Sequence, residues 1–256
     1  MEYRKRKDEI ASENKMFFED NVIGWYDAIS NKIGQIREKR FQYHNFYFDN
    51  AIIAIAPISN VDSEVLLSGL NQKEWYLPYL EKMQEHRRRE WLTVRILLKE
   101  LFGEEKEIGY HSSGKPFLTD GSYKINISHT KGYVAVIADK EREVAVDIEK
   151  TSPRVKKIQS RFMNEEEEKN ITPENEITQL LLYWSAKESL FKLINKENVE
   201  FRNQLHIQPF EPVFDDWSHF YATETRTELK ERYKVHYIVT TDYVLTYIIG
   251  KKTIFA

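Results

Sequence analysis

In Val146-Asp147-Ile148-Glu149 two carboxylates stand at i and i+2 inside a run, Val144 to Ile148, with the composition of a strand. Strand alternation puts both acids on one face, about 7 Å apart along the backbone, with Val146 and Ile148 on the other. Two oxygen donors so placed suit one hard divalent cation. A strand end with one solvated face has the same pattern.

A second group lies about forty residues on, in Trp184-Ser185-Ala186-Lys187-Glu188-Ser189-Leu190-Phe191-Lys192. At about 100° per residue, Leu180, Tyr183, Trp184, Phe191 and Ile194 form an apolar stripe with Lys187 in its middle. Glu188 stands at the edge of that stripe and Lys192 one turn further. A lysine on a core-facing stripe must meet an anion or reach water, and Glu188 with Lys192 could equally be a plain i,i+4 ion pair. His129, with Ser128 and Thr130 beside it, sits in what reads as a short polar linker. Arg87-Arg88-Arg89 could hold phosphate as bidentate donors, or could be a solvated helix face. Lys115, between Gly114 and Pro116, is a turn lysine. Carboxylates for a metal, cations for the remaining charge and a base for an attacking hydroxyl are together what phosphoryl chemistry requires.

The elements that must position these groups can be read from periodicity. Ala51 to Ala56, ended by Pro57, is a buried strand. A helical pattern runs from Gln72 to Leu101, with Gly103 as its C-cap. Tyr123 to Ile127, Tyr133 to Ala138 and Val144 to Ile148 read as strands, and Glu176 to Asn195 as a long helix after the break at Pro173. From Phe201 onward, alternation predicts antiparallel strands, as in Tyr233 to Val239 and Tyr243 to Ile248. Residues 1 to about 50 show no period and read as helix and loop. The polar stretch Asp139 to Glu143 marks a boundary, dividing the chain into 1–141 and 142–256.

Bulk composition narrows the classes. The chain has 256 residues, 41% hydrophobic and 13% aromatic, which fits a globular protein. A formal charge of -3 argues against general nucleic-acid binding. With no cysteine there is no disulfide, no cysteine-zinc site and no thiol nucleophile. The basic N-terminus precedes no apolar run, and no stretch is long enough to span a bilayer, so a soluble cytoplasmic protein without membrane contact is expected.

Taken in order and spacing, Gly114-Lys115-Pro116, Asn126-Ile127-Ser128-His129-Thr130, Val146-Asp147-Ile148-Glu149 and the Trp184 to Lys192 segment resemble the motifs of 4'-phosphopantetheinyl transferases of the surfactin-synthetase-activating (Sfp-like) type. The resemblance covers about Arg87 to Lys192. It implies an α+β fold of two similar α/β halves with pseudo-two-fold symmetry, each a small sheet packed on helices, with the active site in the cleft between them. It implies coenzyme A as co-substrate and magnesium, or manganese, as metal. Asp147, Glu149 and Glu188 would surround that metal. Arg87, Lys115, Ser128, His129, Lys187 and Lys192 would bind the cofactor, and Glu188, His129 and Lys192 would act in catalysis. The partner implied is an apo acyl carrier or peptidyl carrier protein, and the enzyme a monomer. Ala145 departs from the glycine that the family often has there, and the first 50 residues match none of its motifs. The competing readings are a magnesium-dependent nuclease or phosphodiesterase, for which Lys150 follows Glu149 at the wrong spacing, and a catalytically silent coenzyme A-binding homologue.

Overall fold

The computed structural model describes residues 41–48, 50–228 and 231–251, together with Phe18–Glu19 and Val22–Ile23. It is a mixed α+β protein of two five-stranded antiparallel sheets, each carrying one long helix. The first sheet has the order β1 (Phe18–Glu19), β4 (His44–Phe48), β5 (Ala51–Pro57), β9 (Tyr133–Asp139), β8 (Lys124–Thr130). The second has the order β10 (Val144–Lys150), β14 (Tyr243–Ile249), β13 (Arg232–Val239), β12 (Ser218–Glu224), β11 (Leu205–Ile207). Two small ribbons complete the strands: β2 (Val22–Ile23) with β3 (Phe41–Gln42), and β6 (Ile108–Tyr110) with β7 (Pro116–Leu118).

Alternation along these strands builds a layered core. Ala54, Ala56, Val134, Val136 and Ala138 face helix α3 (Glu85–Phe102), meeting Val94, Leu97 and Leu98. The residues between them, Ile53, Ile55, Ala135 and Ile137, face the second sheet and pack with Val144, Val146, Ile148, Leu245 and Tyr247. On the far side of the second sheet, Val235, Tyr237, Val239, Val244 and Ile248 pack against helix α6 (Glu176–Ile194). The order is therefore helix, sheet, sheet, helix, and the two sheets share a core. The short helices α1 (Ser63–Ser68), α2 (Lys73–Leu80), α4 (Gln159–Phe162), α5 (Glu165–Glu168) and α7 (Phe201–Gln204) cover the flanks.

The linker between the sheets is pinned. Asp139 is fully buried, and its carboxylate accepts from the backbone N–H of Glu141 at 2.8 Å and of Arg142 at 2.7 Å. It also accepts from Arg142 Nε at 2.9 Å, and Nη2 of that guanidinium lies 2.7 Å away as an ion pair.

Four expectations need correction. Most of residues 1–50, read as helix and loop, lies outside the described residues, and the described pieces are mainly short strands. The long helix over 72–101 is two helices, α2 and α3, separated at Glu81–Gln84. Pro78 removes a donor from α2, and Arg88 Nε bonds the last carbonyl of α2, Leu80 O, at 2.9 Å and Met83 O in the break at 3.0 Å. Helix α6 is buried nearly all round instead of along one stripe, because the sheet covers one side and α4, α5 and α7 the other. Finally, β8 runs on to Thr130, so His129 is a strand residue and not part of a linker; the turn is Lys131-Gly132, with Gly132 at φ 96°.

Candidate functional site

The site forms where the edge strand of one sheet, β8, lies beside the edge strand of the other, β10. Asp147 and Glu149 point from β10 toward α6, opposite to Val146 and Ile148, which enter the shared core. Helix α6 is seated there by three buried hydroxyls. Thr246, the ladder partner of Asp147, has its Oγ1 2.9 Å from Ser185 Oγ and 2.8 Å from Ser189 Oγ. Ser185 also donates to the Asp147 carbonyl at 3.4 Å. This seating fixes the rotation of α6 so that Trp184, Glu188 and Lys192, one turn apart, stand over β10.

Asp147 is almost fully buried. Its Oδ1 accepts from Lys192 Nζ at 2.8 Å and from Ser128 Oγ at 2.9 Å, while its Oδ2 is buried without a partner. Lys192 also bonds Val146 O at 3.0 Å and Ser128 Oγ at 3.1 Å. Glu149 Oε1 accepts from the Trp184 indole N–H at 2.7 Å. Burial, followed by the negative charge of Asp147, pushes Glu149 up to about 7; the Trp184 bond opposes this and Glu188 adds to it. Glu188 is pushed up to about 7 by burial and by Asp147, against the pull of Lys192. Three carboxylates thus feel one another's charge. A hard cation supplied to such a group would relieve that repulsion.

On the outer side of β8, His129 Nε2 is 2.8 Å from Arg87 Nη1, and Glu90 is 2.8 Å from the same guanidinium nitrogen. An arginine can only donate, so Nε2 is the acceptor and the ring is neutral. Burial and then the Arg87 charge hold its pKa below the ordinary histidine range. Beside this pair opens a cleft of about 190 Å³ lined by Arg87, Trp91, Arg95, Tyr110, Ile127 and His129. Arg95 is nearly fully buried and lies 3.2 Å above the Trp91 ring centre, bonded to Tyr110 Oη and Trp91 O, both at 3.2 Å. Burial brings it down to about 10. A desolvated guanidinium on the wall of a cleft that also holds Arg87 favours an anion there.

The site residues expected from the sequence divide accordingly. Asp147, Ser128 and Lys192 are in direct contact, Glu149 and Glu188 are close enough to perturb one another, and Arg87 meets His129. Of the three consecutive arginines only Arg87 lines the cleft; Arg88 caps α2, and Arg89 faces Glu85. Lys115 bonds to Glu143 in an ion pair instead of facing the cleft. Ser128 Oγ donates to Asp147 and accepts from Lys192 and from Ile148 N at 3.4 Å, so its hydroxyl is engaged within the protein. Lys187 must be corrected from a cofactor ligand to a core residue. Its ammonium is fully buried, 2.6 Å from Glu167, and bonded to Phe162 O at 2.5 Å and Phe201 O at 3.1 Å. The anion that a core lysine requires is Glu167, in the acidic run 165–168.

Arg95 and the indole of Trp184 are site features that motif reading passes over. Arg95 carries the same signal as Lys187, a cation on an apolar helix stripe. Of these two buried cations, only Arg95 lies on the wall of the cleft.

Among the described residues, no three carboxylate or imidazole groups are already gathered as a cation cage. The donors present still fit magnesium, which is commonly held by one or two carboxylates, with waters and substrate phosphates completing its shell. The partnerless, buried Oδ2 of Asp147 is the best-placed donor.

Comparison with known proteins finds similarity over part of the chain. Residues 143–248, which hold β10 and all but the last residue of β14, match the profile of the 4'-phosphopantetheinyl transferase superfamily. The chain is 30% identical over 140 residues to an L-aminoadipate-semialdehyde dehydrogenase-phosphopantetheinyl transferase of Xenopus laevis, covering 43% of this chain and 46% of that protein. It is 31% identical over 103 residues to the 4'-phosphopantetheinyl transferase AcpT of Escherichia coli O157:H7, covering 40% and 49%. To AcpT of Salmonella typhi it is 30% identical over 113 residues, covering 41% and 58%. The chain thus spans about half the length of the curated relatives it matches. The profile and the relatives together support the 4'-phosphopantetheinyl transferase superfamily as the family of the matched region. No described helix is long and apolar enough to cross a membrane.

Proposed function

We propose that the protein is a divalent-metal-dependent 4'-phosphopantetheinyl transferase that moves the phosphopantetheine group of coenzyme A onto a serine of an apo acyl or peptidyl carrier protein. The observation that carries this reading is the group on β10 and α6: Asp147 with its free Oδ2, and Glu149 and Glu188 both raised to about 7 beside it. That group lies across β8 from a cationic cleft sized for part of a ligand. The two sides of the site come from residues 1–141 and 142–256, consistent with two halves around one cleft.

In the proposed reaction the serine oxygen forms a bond to the pantetheine-bearing phosphorus of the coenzyme A pyrophosphate. The bond from that phosphorus to the bridging oxygen breaks, and adenosine 3',5'-bisphosphate leaves with that oxygen. The serine proton passes to Glu188, directly or through water, with its carboxylate as the general base. Lys192, held between Asp147 and the Val146 carbonyl, and His129, with its neutral ring, would contact phosphate oxygens. Arg87 and Arg95 would hold charge at the nucleotide end. Magnesium, held by Asp147, Glu149 and Glu188, would neutralise pyrophosphate charge. The Sfp-like type, and the carrier protein as an acidic helical partner, follow from the motif resemblance.

The test is to incubate the protein with coenzyme A, magnesium and each of several apo carrier proteins, and to weigh the carriers. A phosphopantetheine adduct that fails to form in EDTA is expected. No adduct on any carrier would overturn the proposal.

A further inference from the structure

The motif Asn126-Ile127-Ser128-His129-Thr130 has two faces in the structure, and one of them has no assigned role. His129 and Ile127 face the cleft. Asn126, Ser128 and Thr130 face β10, and each accepts a backbone N–H from it: Val146 N to Asn126 Oδ1 at 3.1 Å, Ile148 N to Ser128 Oγ at 3.4 Å, and Lys150 N to Thr130 Oγ1 at 3.0 Å. The partners advance together in steps of two, so β8 and β10 run in the same direction. They are not ladder neighbours; each is the edge of its own sheet. A row of side chains therefore does what main-chain pairing does elsewhere. It satisfies the outward N–H groups of an edge strand, and it sets the register between two sheets.

That register decides the site. Asp147 and Glu149 alternate with the three N–H groups that are held, so a slip of one residue would turn both carboxylates into the shared core. Asn126 is almost fully buried, and Val146 is completely so. We propose that Asn126 and Thr130 are positioning residues. With Ser128 they form a side-chain comb that holds β10 on β8 and so fixes Asp147 and Glu149 against Lys192 and Trp184. This inference rests on the transferase reading for its catalytic consequence, but the comb itself can be tested without any turnover.

The site has a built-in reporter, the Trp184 indole N–H bonded to Glu149. The experiment is 15N–1H NMR of the full chain, with the indole signal assigned through Trp184→Phe and amide exchange followed at Val146, Ile148 and Lys150. In Thr130→Val, which keeps the side-chain shape and loses the acceptor, exchange at Lys150 is expected to quicken about tenfold and the Trp184 indole signal to move. Thr130→Ser, which keeps the acceptor, is expected to restore both. Asn126→Ala should act in the same way at Val146, and if that variant fails to fold, the Thr130 pair alone decides. A Trp184 signal unmoved in Thr130→Val, or moved equally in Thr130→Ser, would overturn the comb as a positioning device. Transfer measured in parallel should show a lower kcat in Thr130→Val, with KM for coenzyme A within about twofold of wild type. If the wild type shows no transfer on any carrier, the functional reading fails, while the NMR arms still decide the comb.

Discussion

Removing the charge of Glu188 is expected to stabilise the metal-free protein at alkaline pH. In the folded chain this carboxyl titrates at about 7 against an ordinary 4.5. The folded state therefore holds more protons than the unfolded state between those values, and stability falls as pH rises through them. The cost is absent below about 4.5, grows to about 7, and is constant above. Those 2.5 pH units set a ceiling of about 3 kcal/mol, and partial contact with water reduces the effect to about 2 kcal/mol. Glu188→Gln is neutral at every pH, so it escapes this cost, and it also relieves part of the repulsion on Glu149. The assay is urea denaturation of wild type and Glu188→Gln in EDTA, at pH 5 and at pH 8. The variant should gain about 2 kcal/mol relative to wild type between the two conditions while losing transfer activity. An equal difference at both pH values would refute the claim that Glu188 is desolvated and crowded by Asp147.

Three further outcomes are expected. Lys187→Met should destabilise the protein by about 3 kcal/mol in urea melts, because Glu167 keeps a buried charge without its partner. Its coenzyme A affinity by calorimetry should stay within about twofold, whereas a direct ligand would lose far more. Arg87→Ala should weaken coenzyme A about tenfold and affect 3'-dephospho-coenzyme A much less; equal losses for both would remove Arg87 from the nucleotide end. Asp147→Asn should abolish transfer and remove the stabilisation that magnesium gives at pH 8, with near-wild-type circular dichroism. A retained magnesium effect would exclude Asp147 as a ligand.

Particular residues show how far sequence reading reached. Alternation over Val144 to Ile148 correctly separated an acidic face from an apolar one, because strand geometry is local and the period of two admits no other solution. The helix carrying Glu188 was legible from its own period of about 3.6 residues, and Gly103 is where a C-cap demands it, at φ 72°. The split between α2 and α3 was not legible, since its cause includes Arg88 reaching back to the carbonyls of Leu80 and Met83.

The sequence by itself determined which residue types are present for phosphoryl chemistry, which of them share a strand face or a helix turn, and which family their order resembles. Only the tertiary structure decided which of the buried cations belong to the candidate site. Lys187 and Arg95 carry the same local signal, a charge on an apolar helical stripe. One is matched by Glu167, twenty residues away on another helix, and the other is left against Trp91 on the wall of a cleft. A buried charge is defined by its partner, and that partner comes from another element. The same holds for Asp147 and Glu149. Their face was set by alternation, but the raised affinity of Glu149 for protons and the unmatched Oδ2 of Asp147 arise from a helix and an edge strand that meet them only in three dimensions.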